Sequence, residues 1–222
     1  MNDRTFAVSV VVDNLDSYLG GMRTTLALSV SSFLAALVVG AVVASCRVSP
    51  LRLLRALVTV YVEVFSSLPL LVWALLFFFG LPKVGITYGR FPSAVIVLGT
   101  FTGALVGEAL RSGMNTIPGG QGEAARALGL RFDQVLGLVV LPQALRTMIG
   151  PLGSIFLALV RNSAVAAIAM SVDDLMWRAD QLTTSTARPV EVLLGTFVAY
   201  LVLTVPGTWI INSLVRRYRF DR

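Results

Sequence analysis

Ionisable side chains are rare in the long apolar stretches of this sequence, and Glu63, Glu108 and Arg161 are among them. An ionisable group at the centre of a membrane helix costs at least about 2.5–3.5 kcal/mol, so each needs a partner or a task. Arg161 is followed by Asn162 and Ser163. A guanidinium there can meet a substrate carboxylate through paired hydrogen bonds. It can equally satisfy carbonyls freed by a helix break, which Asn162 and Ser163 would ease, and both readings stay open. Glu63 lies about two turns, roughly 9 Å, into its apolar block. Glu108 precedes Arg111 by one helical turn. Both carboxylates read as braces held by arginines or loop amides rather than as groups that touch cargo.

A fourth concentration of chemistry is polar. Glu123-Ala124-Ala125-Arg126-Ala127-Leu128-Gly129 is followed by Leu141-Pro142-Gln143-Ala144. Pro118 suits a helix start. Gln121, Ala124, Ala125 and Leu128 then recur at i, i+3, i+4 and i+7, which predicts one small-residue face. Glu123 and Arg126 are placed to pair at i, i+3, and Gly129 fits the left-handed stop after a helix. A second turn is expected from Asp133 to Val140, ending at Pro142.

The elements that position these groups are apolar blocks. Of 222 residues, 56% are hydrophobic and only 14% are charged, against about 25% charged in soluble domains. The sequence predicts an all-α integral membrane protein of five transmembrane helices, near Thr24–Ser45, Leu57–Phe79, Pro92–Leu110, Met148–Met170 and Val190–Val215, each close to the ~20 residues a bilayer needs. Together they form one transmembrane domain over residues 1–222, with no internal repeat and no low-complexity tract. The polar connection spans 114–146. A second connection, 171–188, reads as an external amphipathic segment. Its Leu175, Met176, Trp177 and Leu182 are expected at the membrane surface, with Asp173, Asp174 and Asp180 in water.

The absence of histidine excludes Ser-His-Asp and Cys-His catalysis and His-ligated metal. A single cysteine, Cys46, excludes an internal disulfide and a cysteine metal cluster. No cleavable leader is expected, because Met1 to Gly20 carries Asp3, Asp13 and Asp16. The net charge of +6 is carried by arginines flanking the apolar blocks, with Lys83 the lone lysine. They form no stripe that would suit nucleic acid. Arg47, Arg52 and Arg55, then Arg111, Arg126, Arg131 and Arg146, then Arg216, Arg217, Arg219 and Arg222 fall on one side if five helices alternate. The positive-inside rule puts that side in the cytoplasm, with the N-terminus outside and the C-terminus inside. Gly99, Gly103 and Gly107 form small-xxx-small spacing, suited either to packing within the chain or to a dimer seam. Phe77-Phe78-Phe79 and Trp209 read as lipid- or interface-facing anchors.

Glu123-Ala124-Ala125, Gly129 and Leu141-Pro142 resemble the EAA motif of permease subunits of ATP-binding-cassette importers. Val139 stands where that pattern has isoleucine. The likeness to the polar amino-acid subfamily extends through Tyr61, Glu63, Phe65, Pro69 and Leu70, then Glu108, Arg111, Ser112, Gly113, Ile117-Pro118, Gly120-Gln121, Leu128-Gly129-Leu130, Gln134, Leu141 to Arg146, and Pro151-Leu152-Gly153. This resemblance implies a multi-pass protein of the bacterial inner membrane and a cytoplasmic coupling helix between helices three and four. Its ATPase-coupling residues would be Gly122, Glu123, Ala124, Ala125, Leu128, Gly129, Leu141 and Pro142. Implied partners are ABC ATPase subunits, an extracytoplasmic substrate-binding protein and a second permease. ATP and Mg would sit on the partner ATPase, since no G-x-x-x-x-G-K-[ST] occurs here.

The implied substrate pathway comprises Glu63, Ser66, Ser67, Pro69, Arg161, Asn162 and Ser163, and the implied cargo is a polar amino acid of the glutamate or glutamine kind. Two departures qualify it. Ser66-Ser67-Leu68-Pro69 stands where the subfamily commonly has Arg-x-Thr-Pro, and Ala164 stands where it has Ser. The missing arginine implies a different cargo or a different permease that supplies it, and the second reading, a heterodimer, is preferred. Two rival classes remain: an ion-coupled secondary carrier built on Glu63, Glu108 and Arg161, which the lack of visible inverted halves disfavours, and a non-transporting membrane anchor.

Overall fold

The computed structural model describes residues 9–47, 49, 51–131 and 134–218. Met1, Asp3, Asp133, Arg219 and Arg222, named above, lie outside the described residues. Every regular element among the described residues is helical. They are α1 (Ser9–Val12), α2 (Leu15–Arg47), α3 (Arg52–Ser67), α4 (Leu70–Leu75), α5 (Arg90–Asn115), α6 (Gly119–Ala127), α7 (Leu141–Met170), α8 (Leu175–Thr186) and α9 (Pro189–Tyr218). A π-helical turn, Leu76–Gly80, and a 3-10 turn, Leu81–Val84, extend α4, and a second π-helical turn, Val135–Val140, leads into α7.

Four helices, α2, α5, α7 and α9, are long and apolar enough to cross a membrane. The expected second helix is not continuous. It is two helices, Arg52–Ser67 and Leu70–Val84, bent by 107°. Pro69 is the cause. It lacks the N–H that would bond back into α3, and its ring forces Leu68 out of the helical region, to φ −81 and ψ 135.

The centre is the α2–α5 pair. Along α5, Gly99, Gly103 and Gly107 present no side chain, and Ala35, Val39 and Val43 of α2 fill the space. A Cβ at Gly103 would lie 2.6 Å from Val39 Cγ1. The glycine stripe is thus spent on packing within this chain. The main core gathers Leu28 of α2, Val97 and Leu98 of α5, Leu159, Ala166 and Met170 of α7, Leu70 and Ala74 of α4, and Phe77 of the π-helical turn that follows it. Phe77 is therefore a core residue, stacked on Tyr88, whereas Phe79 and Trp209 point outward. Outward residues elsewhere are also largely apolar, including Leu34, Val38, Leu57, Val60, Val202 and Ile210. Such a surface suits lipid or another apolar protein face, not water.

The 171–188 connection also departs from expectation. It forms α8, which packs on α2 and α9. Leu175 is fully buried rather than at a membrane surface, and it crosses Gly21 so closely that a Cβ there would lie 2.7 Å from the Leu175 Cα. Asp173 and Asp180 are exposed, but Asp174 is completely buried. It caps α8, because its carboxylate accepts the Trp177 N–H at 2.9 Å and so satisfies a helix donor that has no partner within the helix.

Candidate functional site

Between α5 and α7 the chain folds back on itself. Pro118 occupies the N-cap of α6 with extended backbone, φ −58 and ψ 130. The far end closes in a Schellman motif: Gly129 adopts φ +84, its N–H donates to the Arg126 carbonyl, and the Leu130 N–H donates to the Ala125 carbonyl at 3.2 Å. Glycine meets that backbone conformation without the penalty a Cβ incurs.

The small-residue face proposed for this helix divides. Ala125 is buried and Gly122 approaches Val135, so these two, one turn apart, seat α6 on the Val135–Val140 turn. Gln121, Glu123, Ala124 and Ala127 face outward, and Leu128 is 82% exposed. The division follows from the 100° step of the helix: positions 122 and 125 share one face, and 121, 124 and 128 another. Glu123 and Arg126 are both exposed and make no ion pair with each other among the described residues. Leu141 opens α7 and Pro142 follows it directly after the π-helical turn. Proline contributes no N–H there, and the neighbouring Gln143 side chain supplies a donor to the Val139 carbonyl at 2.9 Å.

Glu108 behaves as expected. Its carboxylate pairs with Arg111 one turn on, and Arg47, the last residue of α2, approaches to 3.6 Å. The cluster ties the ends of α2 and α5 together. Glu63 does not behave this way. It is exposed on α3 and has no ion pair or hydrogen bond among the described residues, so no described arginine braces it.

Ser66, Ser67 and Pro69 are exposed at the α3–α4 break. Arg161 is exposed and Asn162 half-buried, while Ser163 is fully buried with its hydroxyl donating to the Val160 carbonyl at 2.9 Å. α7 is helical from Leu141 to Met170 and its internal proline, Pro151, lies ten residues before Arg161, so α7 has no break at Asn162 and Ser163. The break that Asn162 and Ser163 would ease is therefore absent from this helix. Leu70 and Ala74, just past the break, share a buried cluster with Leu159, Ala166, Ala167 and Met170. The break and the Arg161 stretch of α7 therefore adjoin.

Two groupings escaped sequence reasoning. One is the buried junction in which Thr25 donates to Asp174 at 3.4 Å and accepts the Leu175 N–H at 3.1 Å. Burial, only partly offset by these hydrogen bonds, pushes the Asp174 carboxyl up to about 6. An Asp directly before an apolar helical run is an N-cap signal that was legible in the sequence. The other is the aromatic series Tyr61, Phe65, Trp73 and Phe77 around the break, with adjacent ring centroids 4.7, 5.1 and 5.8 Å apart. No group of metal-ligating side chains occurs among the described residues.

Long apolar helices, one broken span and a folded polar connection define a multi-pass membrane protein. Residues 36–220 match the family described as the binding-protein-dependent transport system inner membrane component. The chain is 37% identical over 210 residues to a probable glutamine ABC transporter permease protein, GlnM, of Bacillus subtilis (strain 168), covering 95% of this chain and 97% of that one. It is 34% identical to the glutamate transport system permease protein GluC of Corynebacterium efficiens, covering 86% and 89%. The fold superposes with a TM-score of 0.91 and 27% identity on a chain of an amino acid ABC transporter crystallised with histidines, covering 96% and 99%. This chain belongs to the family of binding-protein-dependent transport system inner membrane components. It is a multi-pass permease subunit of an ABC transporter.

Proposed function

We propose that this permease carries a polar amino acid of the glutamine or glutamate kind inward, with its N-terminus outside and its C-terminus in the cytoplasm. A separate ATPase, holding ATP and Mg, grips the outward face of α6 through Glu123, Ala124 and Leu128, while Gly122, Ala125, Gly129, Leu141 and Pro142 hold that face in place. ATP-driven closure moves α6 and opens the pathway outward, and release of hydrolysis products reverses it. A substrate-binding protein delivers cargo to the opposite side, and a second, different permease completes the pathway within the lipid bilayer.

One observation supports the pathway. Glu63 and Arg161 are charged, lie in apolar helices and are exposed without ionic partners among the described residues. Lipid is too costly a neighbour for either. They face a second subunit, a hydrated path or both, with Ser66, Ser67, Pro69 and Asn162 along the same path and Ser163 buried behind it. Together a carboxylate and a guanidinium complement the ammonium and carboxylate of a zwitterionic amino acid. The names of GlnM and GluC support the cargo class.

The test is reconstitution of this chain with its ATPase, binding protein and co-expressed permease in liposomes. ATP-dependent uptake of glutamine or glutamate is expected. Uptake by this chain alone on a proton or sodium gradient would instead establish an ion-coupled carrier, and no flux in any combination would establish an anchor. Purification that recovers only this membrane subunit would exclude the heterodimer.

A further inference from the structure

A helix broken by proline is free to hinge unless something outside it fixes the angle. Both halves of this broken span reach the same residue of α5. Tyr61, on α3, donates its hydroxyl to the Thr100 carbonyl. Trp73, on the α4 side, donates its indole N–H to the Thr100 hydroxyl oxygen at 3.2 Å. That hydroxyl is itself oriented, because its proton goes to carbonyls of its own helix, Ile96 at 2.8 Å and Val97 at 3.1 Å. Its lone pair is left to receive Trp73. Phe65 fills the angle between the arms, in contact with Tyr61 on one side and perpendicular to Trp73 on the other.

The anchor is rigid. α5 lies against α2 through the glycine stripe, and bare Gly103, three residues beyond Thr100, leaves room for the Tyr61 hydroxyl: a Cβ at Gly103 would lie 3.4 Å from it. Two arms bound to one point on a fixed helix determine the angle between the segments that carry them. They also determine where the intervening edge, Ser66 to Pro69, stands.

We propose that Thr100 is a positioning residue for translocation: by holding Tyr61 and Trp73 it sets the angle of the broken span and the placement of the Ser66–Pro69 edge in the pathway. This rests on the reading of that edge as pathway. Thr100 touches no cargo. It acts through the backbone geometry of α3 and α4.

The experiment uses the assembled importer in lipid nanodiscs, in a Cys46→Ala background, with spin labels at Leu53→Cys and Val84→Cys, positions 70% and 72% exposed on the two halves. Thr100→Val keeps the shape and loses the hydroxyl, Trp73→Phe keeps a ring and loses the donor, and Thr100→Ser restores the hydroxyl. Expected are a shifted or broadened label distance in Thr100→Val and Trp73→Phe, and a maximal uptake rate lowered about two- to tenfold, the effect of one net hydrogen bond, with KM unchanged. The double variant should be no worse than either single, and Thr100→Ser should restore distance and rate. An unchanged distance in Thr100→Val, an unchanged rate despite a shifted distance, or a Thr100→Ser variant as impaired as Thr100→Val would each overturn the proposal. The pathway reading is tested separately by substrate protection of Ser66→Cys from a charged thiol reagent with Thr100 intact. Loss of that protection defeats the pathway while the label distances still report on the clamp.

Discussion

Thr25 and Asp174 meet at a junction that excludes solvent completely, α2 supplying the hydroxyl and the start of α8 the carboxylate. The pair fixes the connecting segment between α7 and α9 to the first long helix. Arg178, one turn into α8, reinforces the junction by binding Asp173 at 2.6 Å and the Ser17 carbonyl at 3.3 Å.

A pH dependence follows from this burial. The Asp174 carboxyl titrates at about 6 in the folded chain against an ordinary 3.8. Between these values the folded state holds a proton that the unfolded chain has lost. The contribution to stability is therefore greatest below the ordinary value, falls as pH rises towards 6, and is flat above it. The neighbours facing the carboxylate are Thr25 from α2, Tyr200 from α9 and Asp173, which is paired with Arg178. Thermal unfolding in nanodiscs across this range should show the decline. Asp174→Asn, which keeps the acceptor for Trp177, should lose it. A slope of equal size in the variant would assign the dependence to other groups.

The α2–α5 seam predicts a repairable defect. Gly103→Ala places a methyl about where Val39 already stands, 2.6 Å from its Cγ1. Overpacking of this kind costs about 1–3 kcal/mol. Val39→Ala in the same chain should recover most of the loss, because the two positions share one space. Denaturation of the single and double variants measures this, and additive losses would count against direct contact.

The outward face of α6 predicts a functional loss without a structural one. Leu128→Glu changes an exposed side chain and should leave helix content and the elution profile intact. It should also weaken ATPase co-purification and lower coupled uptake by about tenfold or more, as loss of a central apolar anchor does. Ala125→Arg is different in kind. It forces charge into the contact with the Val135–Val140 turn and should expose that connection to proteolysis. Full uptake by Leu128→Glu would remove that face from the coupling role.

Arg161→Ala tests the pathway. Arg161 has no partner among the described residues, so its removal should leave the fold of this chain unchanged. Loss of a charge-assisted pair with a substrate carboxylate should reduce uptake by about tenfold or more. Uptake with normal affinity and rate would take Arg161 out of the path, whatever the fate of Glu63.

Local chemistry was legible in the sequence. The apolar blocks marked the long helices. Glycine at 129 marked the end of α6, since a left-handed stop is a property of one residue. The spacing of Glu108 and Arg111 marked their pairing, since three residues of helix bring them to one face. What needed the tertiary structure was every choice among partners. Small-residue spacing is the same whether Gly103 meets α2 or a second subunit, and only the packing of Val39 decides. Pro69 breaks the helix, which local sequence can show, but that Tyr61 and Trp73 on its two sides bond the same residue of α5 is visible only in the 107° bent fold. Asp174 looked like a solvated charge until α2 and α9 closed over it, and Ala125 faced inward once Val135 lay beneath it. Periodicity and backbone preference act within a few residues and so can be read from order alone. Burial is a property of surfaces far apart in sequence, and only the folded arrangement determines it.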